Sequence, residues 1–161
     1  MSNLLTAEVS DALKPSSGSG LILTAGNPFR RDDGVGPYIA SRLQGSSAKI
    51  IDAGLTPENI IDEVIGLKPD RMTVIDAADF GGYPGEVKVI PEDLIAETSL
   101  STHEIPMNVI TKIISDGTQA EVVFIGIQPQ TVALGEGLSE RVQASAEAII
   151  QTVLQAYSKP R

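Results

Sequence analysis

Short apolar runs that alternate with stretches of helical periodicity constrain the fold of this chain more than any other feature. Residues 21–25, 49–52, 71–75, 86–90 and 121–127 read as strands. Several are nearly continuous apolar runs, the pattern of strands buried on both faces. Residues 35–44, 57–65, 106–114 and 138–156 read as helices. In the last of these, Val142, Ala146, Ile149, Ile150, Val153 and Leu154 recur close to a helical period. Thr56 before Pro57 predicts an N-cap followed by proline in the first helical position. This alternation predicts a three-layer α/β/α sandwich around a mostly parallel sheet. The turn at 81–85 is too short for a crossover helix, which makes 86–90 the candidate antiparallel strand.

With 161 residues, 42% of them hydrophobic, the chain can bury one sizeable core. Residues 15–20, PSSGSG, read as a flexible linker, and the segment before it is open to a short helix or to disorder, so residues 1–20 are expected to be an N-terminal extension to a single domain over 21–161. The formal charge of −9 argues against nucleic acid as a partner, because phosphate backbones are held by clustered Lys and Arg. It fits a basic partner or a cation, although solubility alone would also account for it. The absence of cysteine excludes disulfides, thiolate metal sites and Cys nucleophiles. No apolar run approaches the ~20 residues of a membrane span, and the N-terminus lacks the pattern of a secretory signal. The cytoplasm is therefore the expected compartment, with no membrane insertion.

In parallel sheets of this kind, ligands bind beyond the carboxyl ends of the strands. Reading the residues just past each strand gives GNPFRRDDG at 26–34, Asp52, then Asp76 and Asp79, then Gln128 and Pro129. Carboxylates gather on one edge. Asp32 and Asp33 precede a helix, where one would serve as N-cap, but a single cap does not need both. Arg30 and Arg31 can pair with them or remain solvated. Asp76 ends an apolar run, where an Asx-type turn is a common use. His103, the only histidine, lies in LSTHEIP at 100–106, at the junction of a loop and a helix. Ser101 and Glu104 there match a weak capping-box pattern.

Dinucleotide and P-loop glycine patterns are absent, as is a G-x-S-x-G elbow. Two carboxylates and one imidazole remain, a donor set suited to a borderline divalent metal such as nickel or zinc.

The succession GNPxxxDDGxG, VIDA, STHEIP and FIGIQP resembles the hydrogenase maturation endopeptidases. The patterns at Thr102–Pro106 and Gly126–Pro129 are most similar to the branch serving formate-hydrogenlyase-type hydrogenases. The resemblance spans about residues 21 to 154 and implies a five-stranded sheet flanked by helices, with 21–161 as the catalytic domain. It also implies an endopeptidase that removes the C-terminal extension of a hydrogenase large-subunit precursor. By motif, Asp33, Asp76 and His103 would form the metal site. Two routes to hydrolysis stay open: nickel polarising the scissile carbonyl or activating a bound water, or Asp33 or Asp76 serving as general base while the metal only positions the substrate. The nickel would be supplied by the precursor rather than permanently bound. A non-cleaving module that binds the nickel centre is the alternative, and a metal-dependent phosphohydrolase is a third. Two features depart from the family pattern: the stretch before Leu21, and the basic insert Pro28-Phe29-Arg30-Arg31. Asp32→Ala is expected to be milder than His103→Ala or Asp76→Ala, both of which should abolish processing in a folded protein.

Overall fold

The computed structural model describes residues 4–100 and 105–158. Five strands, β1 (Gly20–Thr24), β2 (Ile50–Asp52), β3 (Arg71–Ala77), β4 (Val87–Ile90) and β5 (Glu121–Ile127), form a single sheet in the order β2-β1-β3-β5-β4. β1 runs parallel to β2 and β3, and β3 runs parallel to β5. Only β4 is antiparallel, pairing with β5 after the short turn that forbids a crossover.

Helices cover both faces. On one side α1 (Ala7–Ala12), α2 (Val35–Leu43) and α6 (Glu140–Ala156) pack on Ile22, Ile75, Ile125 and Ile127. On the other, α3 (Ile61–Leu67), α4 (Ile95–Thr98) and α5 (Met107–Thr118) pack on Leu21, Leu23, Met72, Val74 and Phe124. Consecutive residues of β1 and β3 therefore enter opposite cores, which explains why both read as continuous apolar runs.

Where the sequence predicts an N-terminal extension, the structure shows a core element. Leu5, Val9, Ala12 and Leu13 are buried together in the core that α2 and α6 share. Their spacing is helical, and Thr6 caps α1 by accepting a hydrogen bond from the Val9 N–H at 3.2 Å. The Thr73 hydroxyl in β3 donates to the Ala12 carbonyl at 3.0 Å, tying α1 to the sheet. Nor is the PSSGSG stretch free, for the Ser19 N–H donates to Asp70 at 2.8 Å and Gly20 begins β1. Four apolar residues in a short segment are enough to dock it, whatever the composition of the tether that follows.

Two helix starts also differ from expectation. Pro57 opens a 3₁₀ turn, Pro57–Ile60, ahead of α3, and the Thr56 hydroxyl accepts from the Asn59 side chain rather than capping. Gly34 holds the N-cap position of α2, so neither Asp32 nor Asp33 caps that helix. The four-residue α4 is too short to show a period. Among the described residues no helix is long and apolar enough to cross a membrane.

Candidate active site

β1 and β3 are neighbours at the centre of the sheet, and their carboxyl ends deliver the first two site residues to the same edge. Asp76 is the sixth residue of β3 and is buried. Asp33 lies in the 3₁₀ turn Arg31–Gly34 that follows β1 and is half-buried. The turn is pressed against the strand end through glycines. A Cβ on Gly36 would come under 3.0 Å from the Ala25 carbonyl oxygen, and a Cβ on Gly26 would collide with the Asp33 carbonyl, at a φ of +145°. The Asn27 N–H donates to both the carbonyl and the carboxylate of Asp33, each at 3.1 Å, which fixes that side chain over the strand end.

The two carboxylates sense each other. Burial holds the Asp76 carboxyl well above the usual carboxylate range, and the negative charge of Asp33 raises it further. The Ala77 N–H opposes this by hydrogen-bonding the ionised form, but it does not prevail. A buried carboxyl facing a second carboxylate at the mouth of a strand edge is a place where a cation or a proton has to sit.

Asp32 has a separate task. It is fully buried, and its carboxylate accepts four hydrogen bonds: from the N–H groups of Gln130, Thr131 and Ser139 at 2.8, 3.2 and 2.7 Å, and from the Ser139 hydroxyl at 2.8 Å. It thereby ties the turn bearing Asp33 to the loop between β5 and α6. The Arg31 guanidinium donates to the Glu136 carbonyl at 2.9 Å. The question posed by two adjacent aspartates is answered by a division of labour, one organising the loop and the other facing Asp76.

Sequence reading also missed Gln128 as an organiser. Its side-chain oxygen accepts from the N–H groups of Phe80 and Gly82 at 2.9 and 3.1 Å, and its amide donates to Asp79 at 3.0 Å. Asp79 is held below the usual carboxylate range by that bond and by the Gly81 N–H. The signal in the sequence was a polar residue directly between the apolar run of β5 and Pro129, which gives no sign of its partners. Asp52 closes a turn of its own, accepting from the Thr24 hydroxyl and the Gly54 N–H, both at 3.0 Å.

His103 lies outside the described residues. The described residue Ser99, ahead of it in the chain, is bridged to Ala78, two positions beyond Asp76. Among the described residues no three His, Cys, Asp or Glu side chains come together as a metal site, so Asp33 and Asp76 are at most a partial donor set.

This is an α/β protein with a carboxylate pair at the switch from strand to loop, where such folds bind their ligands. The profile of the hydrogenase maturation protease family, HycI, matches residues 37–156. The chain is 33% identical over 135 residues to the Hydrogenase 3 maturation protease of Escherichia coli, covering 81% of this chain and 86% of that protein. It is similar to the solution structure of the endopeptidase HycI from Escherichia coli, with a TM-score of 0.75 at 33% identity, over 83% of this chain and 87% of that one. The crystal structure of a NiFe hydrogenase maturation protease HycI from Thermococcus kodakarensis matches with a TM-score of 0.78 at 27% identity, over 94% of this chain and 99% of that one. The chain belongs to the hydrogenase maturation protease family, and it is a peptide-bond hydrolase. Residues 21–161 are about 88% of the chain, so a match over 94% reaches into the segment before Leu21, in keeping with the buried α1.

Proposed function

We propose that this protease removes the C-terminal extension of a hydrogenase large-subunit precursor that already carries nickel, and that it recognises the metal through Asp33, Asp76 and His103. The carrying observation is the facing pair Asp33 and Asp76, whose mutual repulsion and burial a divalent cation would relieve. Two carboxylates and an imidazole leave positions open on nickel for the ligands that the precursor contributes. The bridge between Ser99 and Ala78 supports His103 as the third donor, because it brings the chain leading to that histidine beside the end of β3.

In this reading nickel is part of the substrate, and cleavage reports that metal insertion is complete. Hydrolysis breaks the carbonyl carbon–nitrogen bond, with water supplying hydroxyl to the carbonyl carbon and a proton to the leaving amine. Asp33, the more exposed of the pair, would take the proton from an incoming water with the carboxylate oxygen that does not hold the cation, and its greater exposure supports that role. Asp76, deeper in the edge, stays with the cation. Nickel held by Asp33, Asp76 and His103 would position the scissile bond and could supply polarisation of its carbonyl.

The test is processing of the nickel-loaded precursor by Asp33→Asn, Asp76→Asn and His103→Ala variants whose folding is checked by circular dichroism. All three are expected to stay folded and to leave the precursor at full length. Ordinary processing by the folded His103→Ala variant would remove the histidine from the site.

A further inference from the structure

The carboxylate pair lies at the carboxyl edge of the sheet, and on that edge each junction after a parallel strand bears one large apolar side chain in solvent. Phe29 follows β1, Leu55 follows β2, Tyr83 follows β3 and Leu134 follows β5, with 60%, 51%, 62% and 78% of their surface exposed. Among the described residues only one other large apolar side chain, Leu4, is more than half exposed. Single exposed apolar residues are ordinary on soluble proteins, but four on the loops of the one edge that bears the carboxylate pair are not.

These loops are held to one another. The Gly26 N–H donates to the Gly54 carbonyl at 2.9 Å, linking the first two. The Gly135 N–H donates to the Phe29 carbonyl and the Arg31 N–H to the Gly135 carbonyl, both at 2.9 Å, linking the first and last. Gln128 fastens the loop of Tyr83 to the end of β5 through Phe80 and Gly82, and the Gly85 N–H donates to the Gln128 carbonyl at 2.8 Å. A rim braced in this way meets a partner without first having to be ordered, which lowers the entropic cost of binding.

The sheet itself cannot supply that contact. Proteins that grip an extended peptide by strand addition use a free sheet edge. Here β1 is paired on both sides by β2 and β3, and β3 by β1 and β5, so no strand edge is free beside Asp33 or Asp76. Any protein cut at these carboxylates has to lie across the loop rim.

We infer that Phe29, Leu55, Tyr83 and Leu134 form the docking surface for the precursor, seating an apolar patch of its folded surface around the tail rather than reading the tail as an extended strand. This inference rests on the processing reading above. Phe29 and Leu134 are the pair to test, because the Gly135 N–H donates to the Phe29 carbonyl and so sets these two exposed side chains on adjacent backbone.

The experiment compares wild type with Phe29→Asp, Leu134→Asp and the double variant, measuring precursor binding and processing of the nickel-loaded large-subunit precursor over a range of concentrations. Phe29→Ser and Leu134→Ser serve as a second pair should a charge prove disruptive, and melting curves establish that each variant is folded. Leu67→Asp is the control, since Leu67 ends α3 and lies at the opposite edge, where the chain turns back into β3. The double variant is expected to raise KM about tenfold or more with kcat little changed, while Leu67→Asp behaves as wild type. KM within about twofold of wild type for the folded double variant would overturn the docking surface and leave the processing reading standing. Should wild type bind the precursor without shortening it, processing fails, and the docking surface then stands or falls on whether the same substitutions abolish binding. Neither binding nor shortening by wild type would overturn both.

Discussion

The carboxylate of Asp32 accepts both the N–H and the hydroxyl of Ser139, at 2.7 and 2.8 Å, across 107 positions of sequence. Ser139 holds the N-cap position of α6, yet its hydroxyl serves Asp32 instead of its own helix. The buried carboxylate therefore sits against the positive end of a 17-residue helix and satisfies amides that nothing else reaches. Asp32→Ala leaves these donors without a partner and is expected to cost about 3 kcal/mol of stability, with Asp32→Asn costing less. Denaturant unfolding checks this. The loss of activity at permissive temperature should stay partial, because Asp32 does not face Asp76; a variant as stable as wild type would contradict the anchoring role.

Asp76 carries the opposite sign. Unfolded, this carboxyl titrates at about 4. Folded, burial and the charge of Asp33 keep its proton on to higher pH. Between those two values the folded state binds more protons than the unfolded state, so stability falls as pH rises through the window and stays lowered above it. Asp76→Asn removes the penalty. Its melting temperature is expected to exceed that of wild type by several degrees near neutral pH, with the gap closing toward about pH 4, while processing is lost. Parallel pH profiles for the two proteins would refute the assignment.

Gly36 tests the packing that sets Asp33 over the strand end. A methyl group there meets the Ala25 carbonyl oxygen at under 3.0 Å, and backbone cannot swing aside as a side chain would. Gly36→Ala is expected to destabilise the fold by about 1–3 kcal/mol and to lower processing more than stability alone explains, because the turn must lift. Thermal melts and cleavage rates of the purified variant decide this.

Leu13 reports whether α1 belongs to the core. It is almost wholly buried beside Val9 and the residues of α2 and α6. Leu13→Ala is expected to cost about 2–5 kcal/mol, the range for a buried leucine. A dispensable appendage would show no change in the unfolding midpoint.

The sheet was legible because strands such as β5 carry apolar residues on both faces, and the fourth strand's direction followed from a turn too short to cross over. The helix α6 was legible through its period. The docking of α1 into the core was not, since Val9 and Leu13 are too few to register before they meet a partner, and the Ser-Gly stretch beside them reads as a tether. At the site, the convergence of Asp33 and Asp76 on one edge follows from strand ends in a parallel sheet. The division between Asp32 and Asp33 does not, because it is decided by residues 130–139, about a hundred positions away. Gln128 escaped for the same reason, its partners lying on the loop after β3.

In the proposed function, cleavage depends on nickel carried by the precursor. The most direct measurement is the intact mass of a hydrogenase large-subunit precursor, nickel-loaded and nickel-free, after incubation with this protein. Loss of a C-terminal peptide from the nickel-loaded form alone is the predicted result. Equal shortening of both forms would contradict metal recognition, and an unchanged mass despite complex formation would make the chain a binding module rather than the protease of this substrate.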